Sequence, residues 1–227
     1  MHFDQDPLRL ARNLMRFVDS SPSPYHAVEQ VKGRLLAERF TLLDEREPWS
    51  LEPGTRGVVV RGGTLLAFVL GSRPPAEAGF VIVGAHTDSP NLRLKPRPEF
   101  ESVGYRQLSV EVYGSPILAT WLDRDLGLAG RVVLADGSQA LVRIEEPALR
   151  VPNLAIHLNR EVNEEGLALN ARKSSDARAR PGWAQAARGA GARVSCIGSR
   201  RSLGSGAGGR ARLRPVPVRL AAESARR

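Results

Sequence analysis

Cysteine is nearly absent: the 227-residue chain has one, Cys196. An internal disulfide is therefore impossible, and so is a zinc site built on several thiolates. Long apolar runs are missing too. No stretch approaches the roughly 18 to 20 apolar residues that a membrane span requires. The first six residues, MHFDQD, carry no basic segment leading into an apolar core, so no secretory signal is read. These absences make the cytoplasm the default location.

What is present is ordinary for a globular protein: 42% hydrophobic and 25% charged residues, in a length that can bury a sizeable core. The net charge of +9 is unevenly placed. Residues 1–170 hold 19 Lys and Arg against 22 Asp and Glu, a balance of −3. Residues 171–227 hold 14 against 2, a balance of +12. The basic excess therefore belongs to the last quarter of the chain.

The first part has the periodicities of a folded domain. Leu10, Leu14, Phe17 and Val18 stand at helical spacing, and the SSPSP run at residues 20–24 ends that helix. A second helix is expected over residues 25–39, with Ala27, Val28, Val31, Leu35 and Leu36 as its apolar stripe. Residues 57–61 and 64–70 read as a hairpin around Gly62-Gly63. Residues 80–85 (FVIVGA) read as a strand buried on both faces. From Val103 to Ile156 the pattern turns β-rich, with strands expected at 108–113, 130–134 and 139–144. The fold class is thus α/β, followed by a mainly β module.

After about residue 170 the composition breaks. Of the 57 residues from 171 to 227, 41 are Arg, Ala, Gly or Ser, without apolar period. Such a segment cannot offset an ordering entropy of about 1–2 kcal/mol per residue, so a disordered tail is expected. It is either a natural basic tail or a GC-rich gene read out of frame; the abruptness of the break favours the second. Its 13 Arg could neutralise phosphates, yet it has one aromatic, Trp183, for base stacking. Nucleic-acid binding is accordingly the weaker reading, and Cys196 within this segment is read as incidental.

The sharpest chemical feature is AHTDSP at residues 85–90, directly after the apolar strand. A His leaving the C-terminal end of a central strand points into the crevice where α/β sheets bind ligands. Asp88, two residues on, leans to the same side and can hold the second ring nitrogen of a metal-bound imidazole. The plain alternative is a hydrogen-bonded His in a turn, with Asp88 capping the next segment. His26 reads as a structural hydrogen-bonding residue, Tyr113 as core, and Trp121, Asp123, Arg124 and Asp125 as a packing and ion-pair cluster.

Five segments together resemble the aspartyl aminopeptidase family of zinc metallopeptidases. They are SPSPYHAV (21–28), VGAHTDSPNLRLKP (83–96), VEVYG (110–114), TWLDRDLGLAGRV (120–132) and VPNLAIHLNREVNEEG (151–166), in the family's order over about 170 residues. The resemblance implies that residues 1–95 are the first part of a three-layer α/β catalytic domain. Residues 96–170 would be most of an inserted β-rich dimerisation domain, and 171–227 an unrelated basic tail. It implies that His86 is a zinc ligand, that Asp88 supports the site beside it, and that His157 is lent to the active site of a neighbouring subunit. It implies zinc, two per site, peptide substrates with acidic N-terminal residues, and dimers that build a dodecamer; neither a membrane nor nucleic acid is an expected partner.

The same resemblance sets a limit. A catalytic zinc needs about three protein ligands, and a two-metal site roughly five. Only His86 stands at a family ligand position, and residues 171–227 contain no His, one Asp (Asp176) and one Glu (Glu223). The chain alone is therefore expected to be inactive and to expose a sheet edge and an apolar face. A non-catalytic assembly partner of an intact enzyme is the alternative.

Overall fold

The computed structural model describes residues 6–134, 136–169, 177–179 and 219–222. They form two compact units, residues 1–89 and residues 90–227.

The first unit opens with helix α1, Pro7–Asp19. Pro7 pre-sets the first turn and the Asp6 carboxylate accepts from the Leu8 N–H at 3.0 Å. Helix α2, Pro24–Ala37, repeats the device, with Ser23 as its N-cap. It ends where Arg39 takes a positive φ of 64° and the Phe40 N–H reaches back to the Leu35 carbonyl. Arg34 ties the two helices: its guanidinium lies 4.9 Å from the Phe17 ring centre and donates to Asn13.

A three-stranded sheet follows: β1 (Thr41–Leu42), β2 (Arg56–Arg61) and β3 (Thr64–Val69), in that order. β1 runs parallel to β2, and β2 and β3 are the expected hairpin, with Gly62 in the left-handed region at φ 60°. Gly57 is required here, because a Cβ would stand 2.5 Å from the Phe68 ring. α2 packs on the hairpin and buries Ala27 and Val28, while Val58 is fully enclosed. A single turn, α3 (Pro75–Ala78), lies in the following loop.

Residues 80–85 differ from the sequence expectation. They are not a buried strand: they belong to no element, and Val81 and Val83 are 98% and 94% exposed. The reason is physical. A strand exists only through hydrogen bonds to a neighbour, and among the described residues none pairs with this run. The apolar side of α1 is likewise uncovered, with Leu10, Leu14 and Val18 each more than half exposed.

The second unit is a closed barrel. Its strands are β4 (Asn91–Ser102), β5 (Tyr105–Tyr113), β6 (Leu126–Val133), β7 (Gln139–Arg150), β8 (Ala177–Ala179) and β9 (Arg219–Ala222), ordered β4-β5-β8-β7-β6-β9. Alternate residues point inward: Leu92 and Leu94, Leu108 and Val110, Leu126 and Leu128, Val142 and Ile144. Gly127 allows a close approach, since a Cβ there would overlap the Ile144 carbonyl oxygen. The strand β4 is absent from the sequence reading because Pro96 and Pro98 argue against a strand interior. They sit where the β4–β5 register shifts between Leu94 and Glu99, with Arg97 at φ 59°.

β8 and β9 come from the segment expected to be a disordered tail. The disorder reading therefore does not extend to these seven residues, whose backbones complete the ladders between β5 and β7 and between β4 and β6. The rest of that segment, with Cys196 and Trp183, lies outside the described residues.

Candidate functional site

His86 stands at the end of the exposed run, and its ring is oriented locally. Nδ1 lies 2.7 Å from the Asp88 main-chain oxygen. A carbonyl can only accept, so Nδ1 carries the hydrogen and donates. In the neutral ring the lone pair is then on Nε2, the form in which an imidazole ligates a metal. The sequence reading gave this orienting task to the Asp88 carboxylate. That group stands 3.6 Å away, beyond hydrogen-bond length, and the main chain performs the task instead.

Between them, Thr87 faces the other way. Its hydroxyl donates to the Gly63 carbonyl at 2.7 Å. The His-Thr-Asp turn is thus pinned to the tip of the β2–β3 hairpin, whose Gly63 in turn abuts Pro24 at the start of α2. Sequence reasoning did not single out Thr87. A hydroxyl residue between two candidate site residues was the available signal, but its partner 24 positions earlier was not legible.

The His86 side chain is 82% exposed. Among the described residues, no three His, Cys, Asp or Glu side chains come together to hold a metal ion. The donor set here therefore fits one position of a zinc site and does not complete one.

His157 belongs to the second unit. It occupies a single 3-10 turn, Ile156–Leu158, and is exposed, flanked by exposed Leu154, Ile156 and Leu158. His26 has its Nδ1 2.7 Å from the hydroxyl of buried Ser23, the N-cap of its own helix. The cluster at 121–125 is structural in its contacts. Arg150 donates to Asp125 at 2.7 Å, the Asp123 carboxylate accepts from the Asn153 N–H at 3.1 Å, and Trp121 packs against the barrel core. Tyr113 is half-buried under the Arg93 guanidinium, 3.8 Å from its ring centre.

The profile of the aminopeptidase I zinc metalloprotease family, M18, matches residues 17–176. The chain belongs to the M18 family. Its relatives include the probable M18 family aminopeptidase 2 of Streptomyces avermitilis, 51% identical over 169 residues, which are 73% of this chain and 39% of that protein. Among solved structures, Ape4 in its complex with Nbr1 is 38% identical, with a TM-score of 0.70 over 78% of this chain and 36% of Ape4. The mApe1 dodecamer of S. cerevisiae has a TM-score of 0.70 at 24% identity, over 96% of this chain and 48% of that one. This M18 chain thus spans well under half the length of the curated relatives it matches. The family is one of zinc metalloaminopeptidases, and the α/β unit followed by a β module is its fold.

Proposed function

We propose that this chain is the N-terminal part of a zinc-dependent aminopeptidase that removes acidic residues, Asp or Glu, from peptide N-termini. The observation that carries this reading is the His86 turn within an M18 match. An imidazole fixed with its Nε2 lone pair outward stands within the segment that the M18 family matches. In this reading His86 supplies one ligand to a two-zinc site, and Asp88 positions it through its main-chain oxygen. When bound, the metals would supply an activated water and polarise the scissile carbonyl. His157, exposed on its turn, serves the active site of a neighbouring subunit in a homo-oligomer; the dodecameric mApe1 neighbour supports such an assembly.

In this reading the chain by itself is inactive: among the described residues no three potential ligands come together, and the match spans 39% of the Streptomyces avermitilis relative. The test is a single-chain chimera, in which residues 1–169 replace the matched segment of the Streptomyces avermitilis relative. The chimera is expected to release N-terminal Asp from a peptide in a zinc-dependent way, and His86→Ala is expected to abolish both zinc retention and release. A folded chimera whose zinc content is untouched by His86→Ala would overturn the assignment. Preference for a neutral N-terminal residue would overturn the acidic specificity.

A further inference from the structure

Thr87 lies inside the hydrogen-bonded loop that orients His86. That loop runs from the imidazole Nδ1 along the main chain of residues 86, 87 and 88 and closes on the Asp88 carbonyl at 2.7 Å. Peptide bonds are rigid, so a handful of dihedral angles set its shape, those of Thr87 among them. Thr87 is in turn held from elsewhere in the first unit. Its side chain is half-buried, and its hydroxyl donates to the Gly63 carbonyl at 2.7 Å, 24 positions earlier in the chain. Threonine makes a stiff link, because its branched Cβ restricts χ1; a fixed hydroxyl therefore fixes the main chain that carries it. The acceptor is placed as well. Gly63 stands in the two-residue turn closed by the Arg61–Thr64 pair of β2 and β3, and it abuts Pro24 and Tyr25 of α2.

We propose that Thr87 is a positioning residue for His86. Its bond to Gly63 holds the turn in the shape that keeps Nδ1 on the Asp88 carbonyl and leaves Nε2 for a metal ion. This deepens, and for its last step rests on, the reading of His86 as a zinc ligand given above; the orientation of the ring is observable without any metal. The plain alternative is that the hydroxyl merely fastens a surface loop to the hairpin. Its placement separates the two roles. The bond leaves from the one residue between the imidazole and its acceptor, where the dihedrals that orient the ring are found, and a fastening several residues away would leave those dihedrals free.

The experiment compares Thr87→Val, which keeps the shape and removes the hydroxyl, with Thr87→Ser, which keeps the hydroxyl. Thr87→Ala repeats the test without a branched side chain. In the metal-free full chain, long-range proton–nitrogen spectra of the neutral His86 ring report its tautomer. The wild type and Thr87→Ser are expected to hold the proton on Nδ1, and Thr87→Val and Thr87→Ala to give a mixture of both tautomers. Cross-strand contacts between Val58 and Ala67 in the hairpin are expected to be unchanged in all of them. A single Nδ1–H form in Thr87→Val and Thr87→Ala overturns the proposal. So does a mixture in Thr87→Ser, or a mixture that appears only together with loss of the Val58–Ala67 contacts, which would mark a merely structural role. Zinc is then titrated into the chimera described above, where Thr87→Val is expected to bind it about tenfold more weakly and Thr87→Ser as the parent does. Unchanged affinity in Thr87→Val, beside loss of zinc in His86→Ala, overturns the proposal. Zinc binding untouched by His86→Ala counts instead against His86 as a ligand, and the tautomer spectra still decide whether Thr87 orients the ring.

Discussion

The His86 ring donates from Nδ1 to the main-chain oxygen of Asp88 at 2.7 Å, not to its carboxylate. The tautomer is therefore fixed by backbone geometry that no side-chain substitution at 88 removes. Long-range proton–nitrogen correlation spectra are expected to show neutral His86 protonated at Nδ1, in the wild type and in Asp88→Asn alike. A ring protonated at Nε2 would contradict the arrangement.

The barrel and the exposed run make opposite predictions for apolar truncation. Leu149 is fully buried, so Leu149→Ala is expected to cost about 2–5 kcal/mol in urea unfolding of the second unit. Val81→Ala removes a side chain that is already in water and is expected to change stability by less than about 0.5 kcal/mol. Comparable losses for the two would mean that residues 80–85 are packed in the free chain.

Two glycines test backbone packing. Gly127→Ala drives a methyl group into the Ile144 carbonyl oxygen and is expected to destabilise the barrel by about 1–3 kcal/mol. Gly33 lies within α2 with open space around it, so Gly33→Ala is expected to stabilise the first unit by about 0.5–1 kcal/mol. Chemical denaturation, followed separately for each unit, distinguishes the two signs.

Asp44 gives a pH signature for the first unit. Arg46 grips its carboxylate through side-chain hydrogen bonds of 2.9 and 2.6 Å and adds a backbone N–H, lowering its pKa from 3.8 to about 2. The stabilisation this gives is present above pH 3.8 and is lost as the pH falls through about 2. A carboxyl-carbon titration is expected to show a midpoint near 2 for Asp44, moving up towards 3.8 in Arg46→Ala. A wild-type midpoint already near 3.8 would show that the pair does not persist in solution.

Local signals in the sequence were sufficient where the interactions are local. The helical spacing of Leu10, Leu14, Phe17 and Val18, the apolar stripe from Ala27 to Leu36, and Gly62-Gly63 between apolar runs announce α1, α2 and the β2–β3 hairpin, because each signal acts within a few residues. β4 was illegible because Pro96 and Pro98 argue against a strand, and only the register shift against β5 accommodates them. Residues 80–85 carry the pattern of a buried strand but pair with no neighbour among the described residues. Pattern records the environment for which a segment is suited, and pairing depends on what the chain supplies. At the site, His86 and Asp88 were legible as a pair, whereas the choice of carbonyl over carboxylate and the Thr87 anchor depend on turn geometry that residue types do not encode.

The proposed reading makes His86 one ligand of a zinc site that the described residues do not complete. Equilibrium dialysis of the full chain against micromolar zinc, followed by an assay for release of N-terminal Asp from a peptide, tests it most directly. The account predicts no stoichiometric zinc and no release by the chain alone. One or two tightly held zinc ions per chain, with zinc-dependent release of Asp, would contradict it.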